Sequence, residues 1–169
     1  MKNILIVSAT LKNNYTLGEQ LKDMLDDLNV NSKLISLENF TLPLYTDDVF
    51  DDEKENYKKT IESLTDLFVS SDGIIICGPE YNGSSHPIIN NAIAWISCST
   101  DYWQDGFKNK IVLVTTSSGG AGSKFVSIMK TQMDHLGCKV MPDSISVNKS
   151  HPLDVESAKK TLKQFAGLL

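Results

Sequence analysis

Three polar stretches of this chain carry residue types suited to holding a charged or planar ligand: residues 8–16, 78–83 and 117–123. The first offers Ser8, Thr10, Lys12, Asn14 and Thr16 beside an apolar periodic segment. Hydroxyls, an amide, free N–H groups and one ammonium make a nest for a terminal phosphate at a helix N-terminus. The same residues also describe a plain polar loop closed by an N-cap, Thr16, with Glu19 completing a capping box. The second stretch reads Gly78-Pro79-Glu80-Tyr81-Asn82-Gly83. Pro79 fixes its own φ, and Gly78 and Gly83 admit backbone angles that other residues resist. A rigid loop with free N–H and C=O groups, suited to a flat polar ring, is expected there. An ordinary connection rich in turn formers has the same composition. The third, Ser117-Ser118-Gly119-Gly120 followed by Gly122, allows close backbone approach. It is not a dinucleotide fingerprint, because Phe125 stands where the last glycine belongs, and the chain holds no Walker loop.

Other chemistries find less support. Cys77, Cys98 and Cys138 are too widely spaced for a disulfide framework or a C-x-x-C pair. A reducing cytoplasm is therefore expected. The three histidines, His86, His135 and His151, lack metal-ligand spacing, so no metal is expected. His135 and His151 read as surface positions. The acidic run Asp47, Asp48, Asp51, Asp52, Glu53 and Glu55 matches no calcium loop and reads as a complement to a helix dipole.

The chain has 169 residues, 41% of them hydrophobic and 22% charged, which fits a single domain over residues 1–169 with a sizeable core. Its formal net charge of -5 argues against nucleic-acid or anionic-membrane partners. All 16 basic residues are Lys, so any phosphate is met without a guanidinium fork. The apolar run at residues 4–7 is far too short for a membrane span or a signal core.

The positioning elements follow from periodicity. Residues 4–7 and 73–77 are apolar runs that read as strands, 33–37 reads as a short strand and 110–115 as another, with a fifth at 139–147 interrupted by Pro142. Between and after them lie helical stripes: Leu17-Leu21-Met24-Leu25-Leu28, Tyr57-Ile61-Leu64-Phe68, Ile88 to Ile96 with Trp95 on its flank, Phe125-Ile128-Met129-Met133-Leu136, and Val155-Ala158-Leu162-Phe165. Residues 38–50 form a long connection whose apolar members should pack on the body. Alternation of this kind specifies an α/β sandwich of three layers. At this length it is flavodoxin-like, a five-stranded parallel sheet in the order 2-1-3-4-5 with helices on both faces. The three polar stretches then meet at the carboxyl edge of the sheet, where such folds bind ligands.

Several motifs resemble the NADPH-dependent FMN reductase family, which includes azo, quinone and chromate reductases. They are Ala9-Thr10-Leu11-Lys12, Pro79-Glu80-Tyr81-Asn82-Gly83, Asn90-Asn91-Ala92-Ile93-Ala94-Trp95, Gly119-Gly120 and the connection from Leu37 to Tyr45. The resemblance implies noncovalent FMN, with its phosphate at Ser8, Thr10, Lys12, Asn14 and Thr16. Its ring would lie along Pro79, Glu80, Tyr81, Asn82 and Gly83, closed by Ser117, Ser118, Gly119 and Gly120. It further implies hydride transfer from NADPH or NADH, then reduction of a small acceptor such as a quinone, azo compound, free flavin or metal oxyanion. A homodimer or homotetramer and a cytoplasmic location go with it. Because the flavin carries the chemistry, no protein acid, base or nucleophile is expected to be catalytic. The alternative is a flavodoxin-type FMN electron carrier with protein partners. The chain departs from the family pattern at Ala9 for Gly, Lys12 for Arg, Asn90 and Ala94 for Lys and Asp, and His86-Pro87 for Pro-Gly. His86 is expected either to meet the acceptor or nicotinamide, or to cap a helix.

Overall fold

The apolar runs that lack polar alternation become strands covered on both faces. Ile4 to Val7, Ile74 to Cys77 and Val112 to Val114 are all buried. In the computed structural model, which describes residues 2–169, they belong to β1 (Asn3–Ser8), β3 (Gly73–Cys77) and β4 (Ile111–Ser117), joined by β2 (Asn31–Ser36) and β5 (Lys139–Val147). All pairings are parallel, and the order is β2-β1-β3-β4-β5, as the sequence pattern specifies. Ser8, Cys77 and Thr115 are aligned in register across β1, β3 and β4, so the loops after these strands leave side by side.

Helices cover both faces. On one side α1 (Asn13–Asp27) and α6 (Val155–Gly167) pack Leu17, Leu21, Leu25, Leu162 and Phe165 against Ile4, Ile6, Ile75 and Leu113. On the other, α3 (Lys58–Val69), α4 (Pro87–Cys98) and α5 (Ser123–His135) bring Leu64, Phe68, Ile89, Ile93, Phe125 and Met129 onto Leu5, Val7, Ile74, Ile76 and Val114. No helix of the described residues is long and apolar enough to cross a membrane.

Several sequence expectations shift here. All of the acidic run but Glu55 forms its own short helix, α2 (Asp47–Glu53), capped by Thr46 and carrying Asp47 and Asp48 in its first turn, where carboxylates complement the dipole. Trp95 does not flank α4; it is fully buried. Its indole N–H donates to the Pro43 carbonyl, 2.9 Å away, and the Asn91 amide donates to the same oxygen at 3.0 Å. Asn91 also accepts from the Tyr45 N–H at 2.8 Å. The long connection is thereby held on the body by polar contacts as well as by its apolar residues. The break at Pro142 is a register shift: Val112 and Val114, two apart, face Val140 and Ser144, four apart. An edge strand absorbs such a bulge and the missing N–H.

Candidate functional site

The loops after β1, β3, β4 and β5 enclose an open cleft of about 650 Å³. The first loop contributes Thr10, Lys12, Asn13 and Asn14, and the β3 loop contributes Pro79, Glu80 and Tyr81. Ser117, Ser118 and Gly119 come from the β4 loop, and Asn148 and Lys149 from the turn after β5. Ser8, Thr16, Asn82, Gly83 and Gly120 of the expected residues lie outside this lining.

Helix phase explains the first loop. The helix starts at Asn13, and Lys12 at the N-cap position provides no side-chain cap. Thr16 is therefore a turn into α1 and exposed, and the expected Thr16–Glu19 capping box does not form. The first turn of a helix leaves its N–H groups without intrahelical acceptors. Here the end without a cap lies on the cleft, which Thr10, Lys12 and Lys149 also line. That donor set is cationic and suits an anion such as a phosphate.

Two of the expected residues, Ser8 and Asn14, make hydrogen bonds within the protein. Ser8 is fully buried, and its hydroxyl donates to the Thr10 carbonyl at 2.7 Å, which bends the loop. Asn14 is 2% exposed, and its amide is spent on one residue of the β4 loop. Its Nδ2 donates to the Ser117 carbonyl at 2.9 Å and its Oδ1 accepts from the Ser117 N–H at 2.8 Å. Asn14 thus clamps two walls of the cleft together.

The β3 loop is more ordered than a simple connection. Asn82 and Gly83 both have left-handed φ, +49° and +71°. Tyr81 and Ser84 exchange backbone bonds of 2.9 and 2.8 Å across them. This is the geometry of a type I′ turn, for which Asn-Gly is the favoured pair. Glu80 anchors its base. Its N–H donates to Ser118 Oγ at 2.8 Å, and its carboxylate accepts from the Lys124 N–H at the head of α5, 3.0 Å away. Ser118 Oγ is in turn 2.7 Å from Thr116 Oγ1. Glu80 is therefore a strut between loops. Gly78, expected to supply unusual backbone angles, has no left-handed φ. Glycine is required there by packing, because an added Cβ would sit 2.6 Å from Phe125 Cζ and 2.9 Å from Ile89 Cδ1. At Gly119 and Gly120 an added Cβ would meet no protein atom within 4 Å, so the protein's own packing does not demand glycine.

Beyond the turn, Tyr81 and Asn82 also line a second open groove of about 560 Å³ with Tyr45, Ser85, Asn90 and Asn91. Tyr81 is half exposed and divides the two cavities. The buried Cys77 beneath them is no nucleophile: burial pushes its thiol up to about 12, despite the 3.0 Å bond from Thr115 Oγ1.

The family model for NADPH-dependent FMN reductases matches residues 2–152. The chain belongs to the NADPH-dependent FMN reductase family. Among related proteins, a quinone reductase of Escherichia coli K12 is 39% identical over 79 residues, which are 47% of this chain and 39% of that protein. The match thus spans well under half of that relative's length. A flavoenzyme NAD(P)H:(acceptor) oxidoreductase, FerB from Paracoccus denitrificans, superimposes with a TM-score of 0.78 at 22% identity, covering 99% of this chain and 97% of its own. An archaeal flavodoxin superimposes with a TM-score of 0.68 at 13% identity, covering 98% of this chain and 96% of that one. At these identities the two structures establish the fold alone. Within the family frame, Asn13, Asn148 and Lys149 are the cleft residues that sequence reasoning missed. The polar Asn148-Lys149-Ser150-His151 run directly after a strand at the same sheet edge was the available signal.

Proposed function

We propose that this FMN reductase family member binds FMN noncovalently in the 650 Å³ cleft and uses NADPH or NADH to reduce a small acceptor. A quinone, azo compound, free flavin or metal oxyanion is the acceptor class. The observation that carries this reading is that one cleft is lined both by a cationic helix start and by a loop bearing an aromatic ring. The helix start without a cap, with Lys12 and Lys149 beside it in the lining, and the loop residues Pro79, Glu80 and Tyr81 all line it. When bound, FMN supplies the electron transfer between nicotinamide and acceptor. Thr10, Lys12, Lys149 and the first N–H groups of α1 hold the phosphate, while Pro79, Glu80, Tyr81 and the Ser117–Gly119 backbone flank the ring. The protein's part is to orient and to exclude water; it needs no acid or base of its own.

The deciding experiment is anaerobic. The purified FMN-loaded protein is mixed with NADPH, and separately with NADH, and the visible flavin absorbance is followed. Rapid bleaching with either nucleotide supports the reading. Stable yellow colour with both would overturn it in favour of an FMN electron carrier. For the phosphate end, the double change Thr10→Ala with Lys12→Ala is expected to weaken FMN binding about tenfold, the scale of one charge-assisted hydrogen bond. Thr16→Ala should leave affinity unchanged, because Thr16 lies outside the cleft lining. Quenching of flavin fluorescence reads both. An equal loss in Thr16→Ala would return that residue to the site.

A further inference from the structure

Two positions beyond Ser84, which closes the type I′ turn, His86 makes two contacts that belong to different parts of the protein. Its Nδ1 accepts from the Ile88 N–H at 3.3 Å, so the imidazole is the N-cap of α4, with Pro87 at the first helical position. Its ring packs on the Tyr81 ring, with centroids 4.7 Å apart and planes tilted by 31°. A side chain that caps the helix is therefore also the support behind the tyrosine that divides the cleft from the 560 Å³ groove.

We propose that His86 is a positioning residue for FMN: with Nδ1 unprotonated it caps α4, and its ring thereby holds Tyr81 as the outer wall of the cleft. The inference rests on the placement of FMN given above. Its chemical basis is the direction of the cap bond. An imidazole accepts at Nδ1 only while that nitrogen carries no proton; the imidazolium is a donor at both nitrogens and faces the Ile88 N–H as a second donor. Protonation thus breaks the cap and frees the ring from the orientation that supports Tyr81.

The surroundings agree with a neutral ring. Burial holds the His86 pKa below its ordinary 6.5, ahead of an opposing pull from Glu38. Glu38, in the 3-10 turn Leu37–Asn39 after β2, also accepts the Leu11 N–H of the first loop. A cationic His86 would compete for that carboxylate and loosen the first loop as well. The other titratable groups near the turn are Tyr81 itself, Glu80 at its base, whose carboxylate accepts the Lys124 N–H, and Lys124, whose side chain runs beside Gly83. The sign follows from the depressed folded pKa. As pH falls through 6.5 the unfolded chain takes the proton first, so stability drops, then levels off once the folded ring is also protonated.

The test is FMN affinity by fluorescence quenching between about pH 8 and pH 5. It compares the wild-type chain with His86→Phe, which keeps a ring without a cap, and His86→Asn, which keeps a cap without a ring. The FMN phosphate itself titrates near pH ~6, but equally in all three, so the difference between curves isolates the imidazole. The wild-type chain should lose about fivefold more affinity over this range than either variant, the scale of one hydrogen bond. Tyr81→Leu, with His86 intact, should abolish that excess. Parallel curves for all the proteins would overturn the role of His86 while leaving FMN in the cleft. A wild-type curve flatter than that of His86→Phe would overturn it too, since attraction of the cationic ring for Tyr81 would then outweigh the lost cap. Failure of the wild-type chain to bind FMN at any pH would overturn the cofactor placement and this inference together.

Discussion

Asn14→Asp should destabilise the protein by about 3 kcal/mol at neutral pH, the cost of replacing a buried donor by a charge that faces an acceptor. Asn14 is 2% exposed and presents a donor to the Ser117 carbonyl and an acceptor to the Ser117 N–H. Aspartate keeps the acceptor, but its second oxygen confronts the carbonyl across what was a 2.9 Å bond. Asn14→Ala removes both bonds, leaves the Ser117 N–H and C=O without their partner, and should cost about 2 kcal/mol. The aspartate variant therefore distinguishes a repulsive contact from a merely absent one. It also carries its own pH signature. Burial beside a carbonyl raises the folded pKa of the new carboxyl above the usual range, so the folded state takes up the proton first as pH falls. Part of the deficit should be recovered under mild acid, when the protonated carboxyl donates to Ser117. Thermal melts at neutral and at mildly acidic pH read this directly. A loss of about 3 kcal/mol corresponds to roughly 6–12 °C in a chain of this size. A variant that melts like the wild type, or that only worsens with acid, would remove Asn14 from its place as the clamp. Because the clamp joins the phosphate-side and β4 loops, FMN affinity should fall more than tenfold as well.

Gly78→Ala should cost about 2–3 kcal/mol and weaken FMN binding, with the packing of β3 against α5 as the cause. The added methyl would approach Phe125 Cζ to 2.6 Å and Phe125 Cε2 to 2.8 Å, and both side chains it meets, Phe125 and Ile89, are buried. Neither has a free direction in which to retreat, so the loop or the helix must move. Phe125 lies in the first turn of α5, next to the Lys124 N–H that Glu80 accepts. Displacing that turn pulls on the strut that holds Pro79 and Glu80 against Ser118. Urea unfolding of Gly78→Ala measures the first effect and flavin quenching the second. Pairing it with Phe125→Leu should restore part of the stability by making room, which a purely conformational requirement for glycine would not allow. No rescue by Phe125→Leu would remove the Phe125 contact as the reason for glycine at position 78.

The elements of the fold were legible because their signals are local. A run such as Ile74-Ile75-Ile76-Cys77 has no polar face to give to solvent, so it can only be a strand covered on both sides. Helical stripes placed α1 and α3 to α6 to within a few residues. Where the reading slipped, a local cue was outweighed. Thr16 and Glu19 spell a capping box, yet the helix begins at Asn13 and the box lies inside it. The acidic run reads as a complement to a helix dipole, yet most of it forms a helix of its own, α2, capped by Thr46.

Sequence alone determined that three polar loops follow three neighbouring strands, and so that they meet at one sheet edge. That much depends only on residue type and strand order. Tertiary structure decided what each polar residue does there. Asn14 looks like a ligand until it meets Ser117, 103 positions away. Gly78 looks like a conformational device until Phe125 is seen against it. His86 looks isolated until its ring is found on Tyr81, and Lys149 enters the cleft only because β5 ends beside β4. A side chain's donors are spent on whichever partner the packed chain brings within hydrogen-bond reach, and no local pattern records that choice.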